Sequence, residues 1–208
     1  MNALILKSGA ALVIAAHPDD ETIWMGGTIM VFPNVEWTIL SLCRKDDPDR
    51  SPKFKKVCRL YGARSLISNL EDNGVMDAKE SLPEIQTRIE SALKKIGQNR
   101  FTYLFTHGYN GEYGHPRHIG AHRAVNQMLR AKTLSAKQIF YFSYKRLERK
   151  GQPMVCVPNK RGNFISTLPN QIFKKKKFII EKVYGFSQSS FEYKSSAPIE
   201  TFRKAKIL

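Results

Sequence analysis

The stretch Leu12-Val13-Ile14-Ala15-Ala16-His17-Pro18-Asp19-Asp20-Glu21 decides the fold. Its first five residues form a continuous apolar run, the pattern of a strand buried on both faces, and such strands belong to parallel sheets covered by helices. Pro18 cannot donate to a ladder, so the strand ends where the acids begin. In open α/β sheets ligands bind beyond the carboxyl ends of the strands. The densest polar cluster of the chain therefore falls at a ligand-binding position.

Outward from this stretch, strands and helices alternate. Residues 36–43 (EWTILSLC), 65–70, 103–106 and 138–144 (QIFYFSY) read as further strands. Between them, Phe54, Val57, Cys58 and Tyr61 have helical spacing over 53–61, with Gly62 as the stop. Ile85, Ile89, Leu93 and Ile96 mark a helix over 82–96, opened by Ser81 and Pro83 and closed by Gly97. Residues 107–114 read as a Gly-rich polar loop and 119–129 as another helix. The alternation predicts βαβ units, a mainly parallel sheet and a Rossmann-like three-layer α/β sandwich. Beyond Lys145 the pattern is less regular, and residues 166–182 read as a basic amphipathic helix packed on the domain edge. With no internal repeat or linker, residues 1–208 are expected to form one domain, with a motif-bearing core at 10–145 and a basic part at 146–208 packed on it.

Composition narrows the class. The 42% apolar and 25% charged content excludes a disordered or fibrous chain, and 208 residues suffice for a sizeable core. The net charge is +16, and it is uneven: residues 131–208 hold 17 Lys/Arg against 4 Asp/Glu, while residues 1–130 carry only +3. Cys43, Cys58 and Cys156 are odd in number and far apart, which suits reduced thiols and a cytoplasmic location. The early apolar stretch is too short to span a bilayer and lacks a cleavage site, so neither a signal peptide nor a transmembrane helix is expected.

His17 and Asp20 are three residues apart, so one helix-like turn aims both at a common point while Asp19 projects alongside. Two metal ligands plus a free carboxylate result. An imidazole and a carboxylate suit zinc, and also iron or other divalent ions, and a catalytic centre needs at least one more protein ligand. The second cluster, His115-Pro116-Arg117-His118-Ile119-Gly120-Ala121-His122, follows another strand and supplies it. Together the clusters offer a third ligand, a carboxylate base and a second histidine as acid, the parts of metal-assisted hydrolysis. An isolated Asp-Asp more often only caps a helix. Here, four of the five histidines fall in the two clusters, which favours chemistry over capping. His118 and His122, at i and i+4, form a lesser alternative metal pair, because no Glu follows His118.

At Ala16-His17-Pro18-Asp19-Asp20-Glu21, and at Thr106-His107 followed by Gly111-Glu112-Tyr113-Gly114-His115-Pro116-Arg117-His118, the chain resembles the PIG-L/LmbE-like family of zinc-dependent de-N-acetylases. The resemblance implies an LmbE-like fold and removal of an N-acetyl group from an N-acetylglucosamine-type glycoconjugate, giving acetate and a free amine. It implies Zn2+, or another divalent metal such as Fe2+, on His17, Asp20 and His118. It places the general base on Asp19, the acid or oxyanion-assisting histidine on His115, and a mobile tyrosine on Tyr113. Arg50, Asp72 and Arg117 fall on the substrate side. Many members read His-Pro-Asp-His where this chain has His115-Pro116-Arg117-His118. A cation at Arg117 is expected to lower the His115 pKa unless Glu112 or Asp72 compensates.

Two rivals accompany this reading: a basic nucleic-acid- or anion-binding protein, and a catalytically degenerate member that only binds sugar. Aromatics interleaved with Lys/Arg at 141–149 and 173–178 are the footprint of the first, although Lys174–Lys177 reads more simply as a solvated helix face. Because the His/Asp clusters lie outside the charge excess, nucleic acid ranks below a small glycoconjugate, anionic ones included, as partner. The basic last third is then expected to recruit an anionic substrate or a membrane surface.

Overall fold

The computed structural model describes residues 1–148 and 150–205, so Arg149 of the aromatic-basic stretch and residues 206–208 of the basic tail lie outside the described residues. Five strands run parallel at its centre: β2 (Gly9–Ala15), β3 (Val35–Cys43), β4 (Arg64–Leu70), β5 (Arg100–Thr106) and β6 (Ser135–Phe142). With β1 (Asn2–Ala3), β9 (Phe164–Thr167) and β10 (Ile199–Lys204) they form an eight-stranded sheet ordered β1-β9-β10-β6-β5-β2-β3-β4. β10 is antiparallel to both its neighbours. A separate hairpin joins β7 (Tyr144–Leu147) to β8 (Val155–Pro158).

β2 shows why its apolar run is continuous. Ala11 and Val13 enter one core with Trp24, Phe54 and Phe105, whereas Leu12 and Ile14 enter a second with Ile85, Ile89 and Val125. The first core lies under α1 (Asp20–Val31) and α2 (Arg50–Leu60), the second under α3 (Leu82–Ile96) and α5 (Pro116–Arg130). Alternate residues thus face opposite layers, the three-layer α/β sandwich that the periodicity predicts. α3 has the expected bounds, because Gly97 adopts φ 69° and stops it with a left-handed cap.

Several expectations beyond residue 106 need correction. Residues 111–114 form a short helix, α4 (Gly111–Gly114), inside the expected loop. The strand expected over 138–144 breaks at Ser143, whose N–H donates to the Thr201 carbonyl while Tyr144 leaves for the hairpin. The helix expected over 166–182 begins later, because Ser166 and Thr167 belong to β9 and Pro169 precedes the first turn. That helix, α6 (Asn170–Phe178), runs into a π-helical turn at Ile179–Val183, and α7 (Phe191–Ser195) follows. Nor are Lys174–Lys177 a uniformly solvated face. Lys176 is fully buried, with Nζ 2.6 Å from Glu200 Oε1, and Lys177 donates to the Tyr193 carbonyl. Among the described residues no helix is long and apolar enough to cross a membrane.

Candidate metal and active site

Strand order brings the two sequence clusters together. Ile14 of β2 lies opposite Thr106 of β5, so the turns that follow these strands share one rim of the sheet. The Ala16 N–H donates to His107 Nε2 at 2.9 Å and fastens the turns to each other. Within the first turn, Asp19 has φ 123° and ψ −30°, a strained backbone for a non-glycine residue that costs of order 1–3 kcal/mol. Glu21 holds it there: its carboxylate accepts from the Asp19 N–H at 3.0 Å, the Thr22 hydroxyl at 2.6 Å and the Tyr184 hydroxyl at 2.6 Å. Neither aspartate side chain caps α1, so the capping alternative does not describe this pair.

Asp20 Oδ2, His17 Nδ1 and His118 Nε2 form a triangle with all three sides 3.3 Å. The outer nitrogen of each ring faces a different carboxylate. His17 Nε2 is 3.0 Å from Asp72 Oδ1 and His118 Nδ1 is 2.7 Å from Glu112 Oε2. With a proton on each outer nitrogen, each inner nitrogen turns a lone pair toward the centre, as a metal-ligating histidine does. A tetrahedron with bonds of about 2.0–2.1 Å has edges of about 3.3–3.4 Å, so the donor set fits a divalent ion such as zinc in both chemistry and spacing. The other oxygen of Asp20 accepts from Trp24 Nε1 at 2.8 Å, which fixes the carboxylate orientation.

Without a cation at that point, Asp20 attracts protons to the two rings. Burial alone would push the His118 pKa down, but the Asp20 and Glu112 carboxylates override it and raise it to about 9. Burial also opposes protonation of His17, and its hydrogen bonds to Asp20 and Asp72 raise it nonetheless. Glu112, equally buried, is held down at about 2 by His107 and His118.

Two corners of the triangle, His17 and Asp20, line a pocket of about 210 Å3 with Asp19, Arg50, Asp72, Tyr113 and His115, together with Arg44, Phe191 and Glu192. Asp19 Oδ2 lies 2.8 Å from Arg50 Nη1, and Arg50 stacks over Phe186 at 4.4 Å. Burial and the neighbouring Asp20 charge push the Asp19 carboxyl up, outweighing Arg50. His115 Nδ1 accepts from the Arg117 N–H at 3.2 Å, so a neutral ring carries its hydrogen on Nε2. Burial, then the charges of His118 and His17, lower the His115 pKa to about 3. The Tyr113 ring packs against His115, His118 and Phe191, and burial with the nearby carboxylates raises its phenol, keeping it a donor.

Eight of the nine residues expected from the sequence therefore meet at one place. Arg117 does not. It is 2% exposed and turns away from the pocket to pair with Glu71 at 2.5 Å and the Met76 carbonyl at 2.8 Å. Its side chain braces the 71–77 loop instead of lining the pocket, and the low His115 pKa arises from burial and the other imidazoles. Glu112 compensates His107 and His118, not His115. His122 bonds the His107 carbonyl at 3.0 Å and takes no part in the centre, which removes the His118/His122 pair. Sequence reasoning gave no role to Trp24, Arg44, His107, Phe191 or Glu192. Two of them carried a signal: Trp24 lies four residues after Asp20 on the same helix face, and His107 stands in the second motif.

The sequence model of the PIG-L family, described as GlcNAc-PI de-N-acetylase, matches residues 12–129, more than half of the chain and both clusters. The chain belongs to the PIG-L family. No curated protein matches it by sequence. Among solved structures, N,N'-diacetylchitobiose deacetylase from Pyrococcus horikoshii superposes with a TM-score of 0.67 at 16% identity, covering 94% of this chain and 83% of that one. The A40926 pseudoaglycone deacetylase Dbv21 gives 0.61 at 13% identity over 93% and 94%. The 4-carboxy-2-hydroxymuconate hydratase GalB from Pseudomonas putida KT2440 gives 0.63 at 13% identity over 98% of each chain. At such identities these neighbours establish the fold of this PIG-L member. That a hydratase shares it means the reaction has to be argued from the site.

Proposed function

We propose that this protein is a metal-dependent hydrolase, zinc being the best-fitting ion, that removes the N-acetyl group from an N-acetylglucosamine-type glycoconjugate. The observation that carries the reading is the 3.3 Å triangle of His17 Nδ1, Asp20 Oδ2 and His118 Nε2 with the Asp19 carboxylate beside it in the same pocket. Family membership and the deacetylases among the structural neighbours support it. A divalent ion held by those three residues would supply Lewis acidity and bring the pKa of water from 15.7 toward about 7.

The protein's own groups account for the remaining steps. Asp19, its proton affinity raised by burial, takes a proton from water as the oxygen attacks the acetamide carbonyl carbon. The neutral His115, through Nε2–H, and the protonated Tyr113 donate hydrogen bonds to the oxyanion that develops. Asp19 then returns its proton to the departing nitrogen as the C–N bond breaks, leaving acetate and a free amine. Arg50 keeps the Asp19 carboxylate aimed into the pocket. Because Arg44 and Arg50 are already paired with Asp72 and Asp19, the pocket suits a neutral sugar ring, and an anionic group on the conjugate is accommodated outside it.

The test is acetate release from a panel of N-acetylglucosamine conjugates bearing phosphate, nucleotide or lipid-linked pyrophosphate, with metal analysis alongside. Asp19→Asn is expected to retain metal and lose at least about a hundredfold in turnover, the usual size of general-base catalysis. His118→Ala is expected to lose the metal itself. Near-normal turnover in Asp19→Asn would overturn the role given to Asp19. A metal-loaded protein that releases no acetate but hydrates an enol acid would assign the hydratase reaction instead.

A further inference from the structure

The lysine-rich run of α6 divides into two functions. Lys176 and Lys177 are used inside the fold, while Lys174, Lys175 and Phe178 project outward, with Phe178 57% exposed. Lys182, in the π-helical turn, continues the outward stripe and pairs with Glu181 at 2.7 Å. α2 repeats the pattern. Lys55, Lys56 and Arg59 are exposed, and Leu60, four residues after Lys56, is 45% exposed.

The two stripes adjoin. Val57 of α2 packs with Ile179, Val183 and Tyr184, and Lys53 Nζ lies beside Gly185. On α2, helical spacing sets Lys56 and Leu60 on one flank of Val57, the flank that also carries Lys53. On the other segment, helical spacing sets Lys175, Phe178 and Lys182 together on one flank of Ile179. Neither α2 nor α6 contains an Asp or Glu, and the acids that adjoin these segments, Asp49 and Glu181, are bound to Lys53 and Lys182.

We propose that this face docks the protein on the surface of an anionic lipid bilayer. A stripe of cations with apolar side chains among them is what lies in the headgroup layer: the cations meet anionic lipid and Leu60 and Phe178 reach the acyl boundary. A polyanion such as nucleic acid would engage the same cations, but Leu60 has no base-reading or stacking function there. Since no described helix is long and apolar enough to cross the bilayer, attachment through this face is peripheral.

The experiment is co-sedimentation of the full, metal-loaded chain with phosphatidylcholine vesicles with and without phosphatidylserine. Binding is expected only to the anionic vesicles and is expected to weaken with added salt. The pairs Lys56→Glu with Lys175→Glu and Leu60→Ser with Phe178→Ser are each expected to lower partitioning by roughly tenfold or more. All four positions are exposed and outside the pocket, so thermal unfolding and metal content should match the parent and verify folding. Wild-type protein left in the supernatant would overturn the proposal, as would full vesicle binding by the Leu60→Ser/Phe178→Ser variant. Charge-dependent binding of a short DNA duplex without vesicle binding would assign the face to nucleic acid and also overturn it. None of these readouts depends on acetate release.

Discussion

At the scale of single residues, the site is organised by groups that touch the three inward atoms only through their ligand side chains. Trp24 holds one oxygen of Asp20 so that the other faces the imidazoles. Replacing Trp24 with Phe keeps most of the packing and removes that donor. Metal affinity is expected to fall by roughly 10- to 100-fold, measurable by competition with a chelator. Glu112 plays the matching part for His118 and His107. Its folded-state pKa of about 2 lies below the 4.5 of a free glutamate, so its stabilisation is present above pH 4.5 and is lost as pH falls toward 2. The contribution is of the order of 3 kcal/mol. Urea midpoints of the metal-free protein should therefore decline steeply over that window, and Glu112→Gln should be less stable at neutral pH with a flatter acid limb. An acid limb unchanged in Glu112→Gln would place the titrating group elsewhere.

At the scale of elements, the helix that presents Asp20 is anchored by the last strand. Glu200 of β10 accepts from the Gly27 N–H at 2.9 Å, the Thr28 N–H at 2.7 Å and the Thr28 hydroxyl at 2.6 Å, and it binds Lys176 at 2.6 Å. A carboxylate thus enters the middle of α1 and is neutralised from α6. Lys176→Met would strand that buried charge, and a loss of about 3–5 kcal/mol in chemical denaturation is expected. Adding Glu200→Gln should restore part of it, because the amide keeps an acceptor and carries no charge. None of this was legible in the run Lys174–Lys177, since four consecutive lysines have the same appearance whichever of them points inward. The parallel strands were legible because burial on both faces leaves an unbroken apolar signature. The break at Ser143 was not, because it depends on a hydrogen bond to Thr201, distant in sequence.

At the scale of the molecule, the basic C-terminal third completes the sheet through β9 and β10 and contributes Phe191 and Glu192 to the pocket lining. Its net positive charge thus comes with one carboxylate at the site. Phe191 packs edge-on against Tyr113, with ring centroids 5.0 Å apart, and gives the pocket an apolar wall. Under the proposed function, Glu192 next to that wall is positioned to accept hydrogen bonds from sugar hydroxyls, and Glu192→Ala is expected to raise KM for an N-acetyl sugar about tenfold with little change in kcat. An equal fall in kcat at unchanged KM would instead give Glu192 a part in the chemical step.

The sequence by itself determined the class of fold and the two strand-end turns, and it singled out the candidate metal ligands. These depend on local rules: the period of burial along a strand, the block that proline imposes and the spacing of His17 and Asp20. Only the tertiary structure decided that β2 and β5 are neighbours, that Asp72 and Glu112 orient the two imidazoles, and that Arg117 faces the 71–77 loop. It alone set Lys176 inside and Phe191 at the pocket wall. Those outcomes depend on strand order and long-range packing, in which the partner of each side chain is chosen by residues tens of positions away.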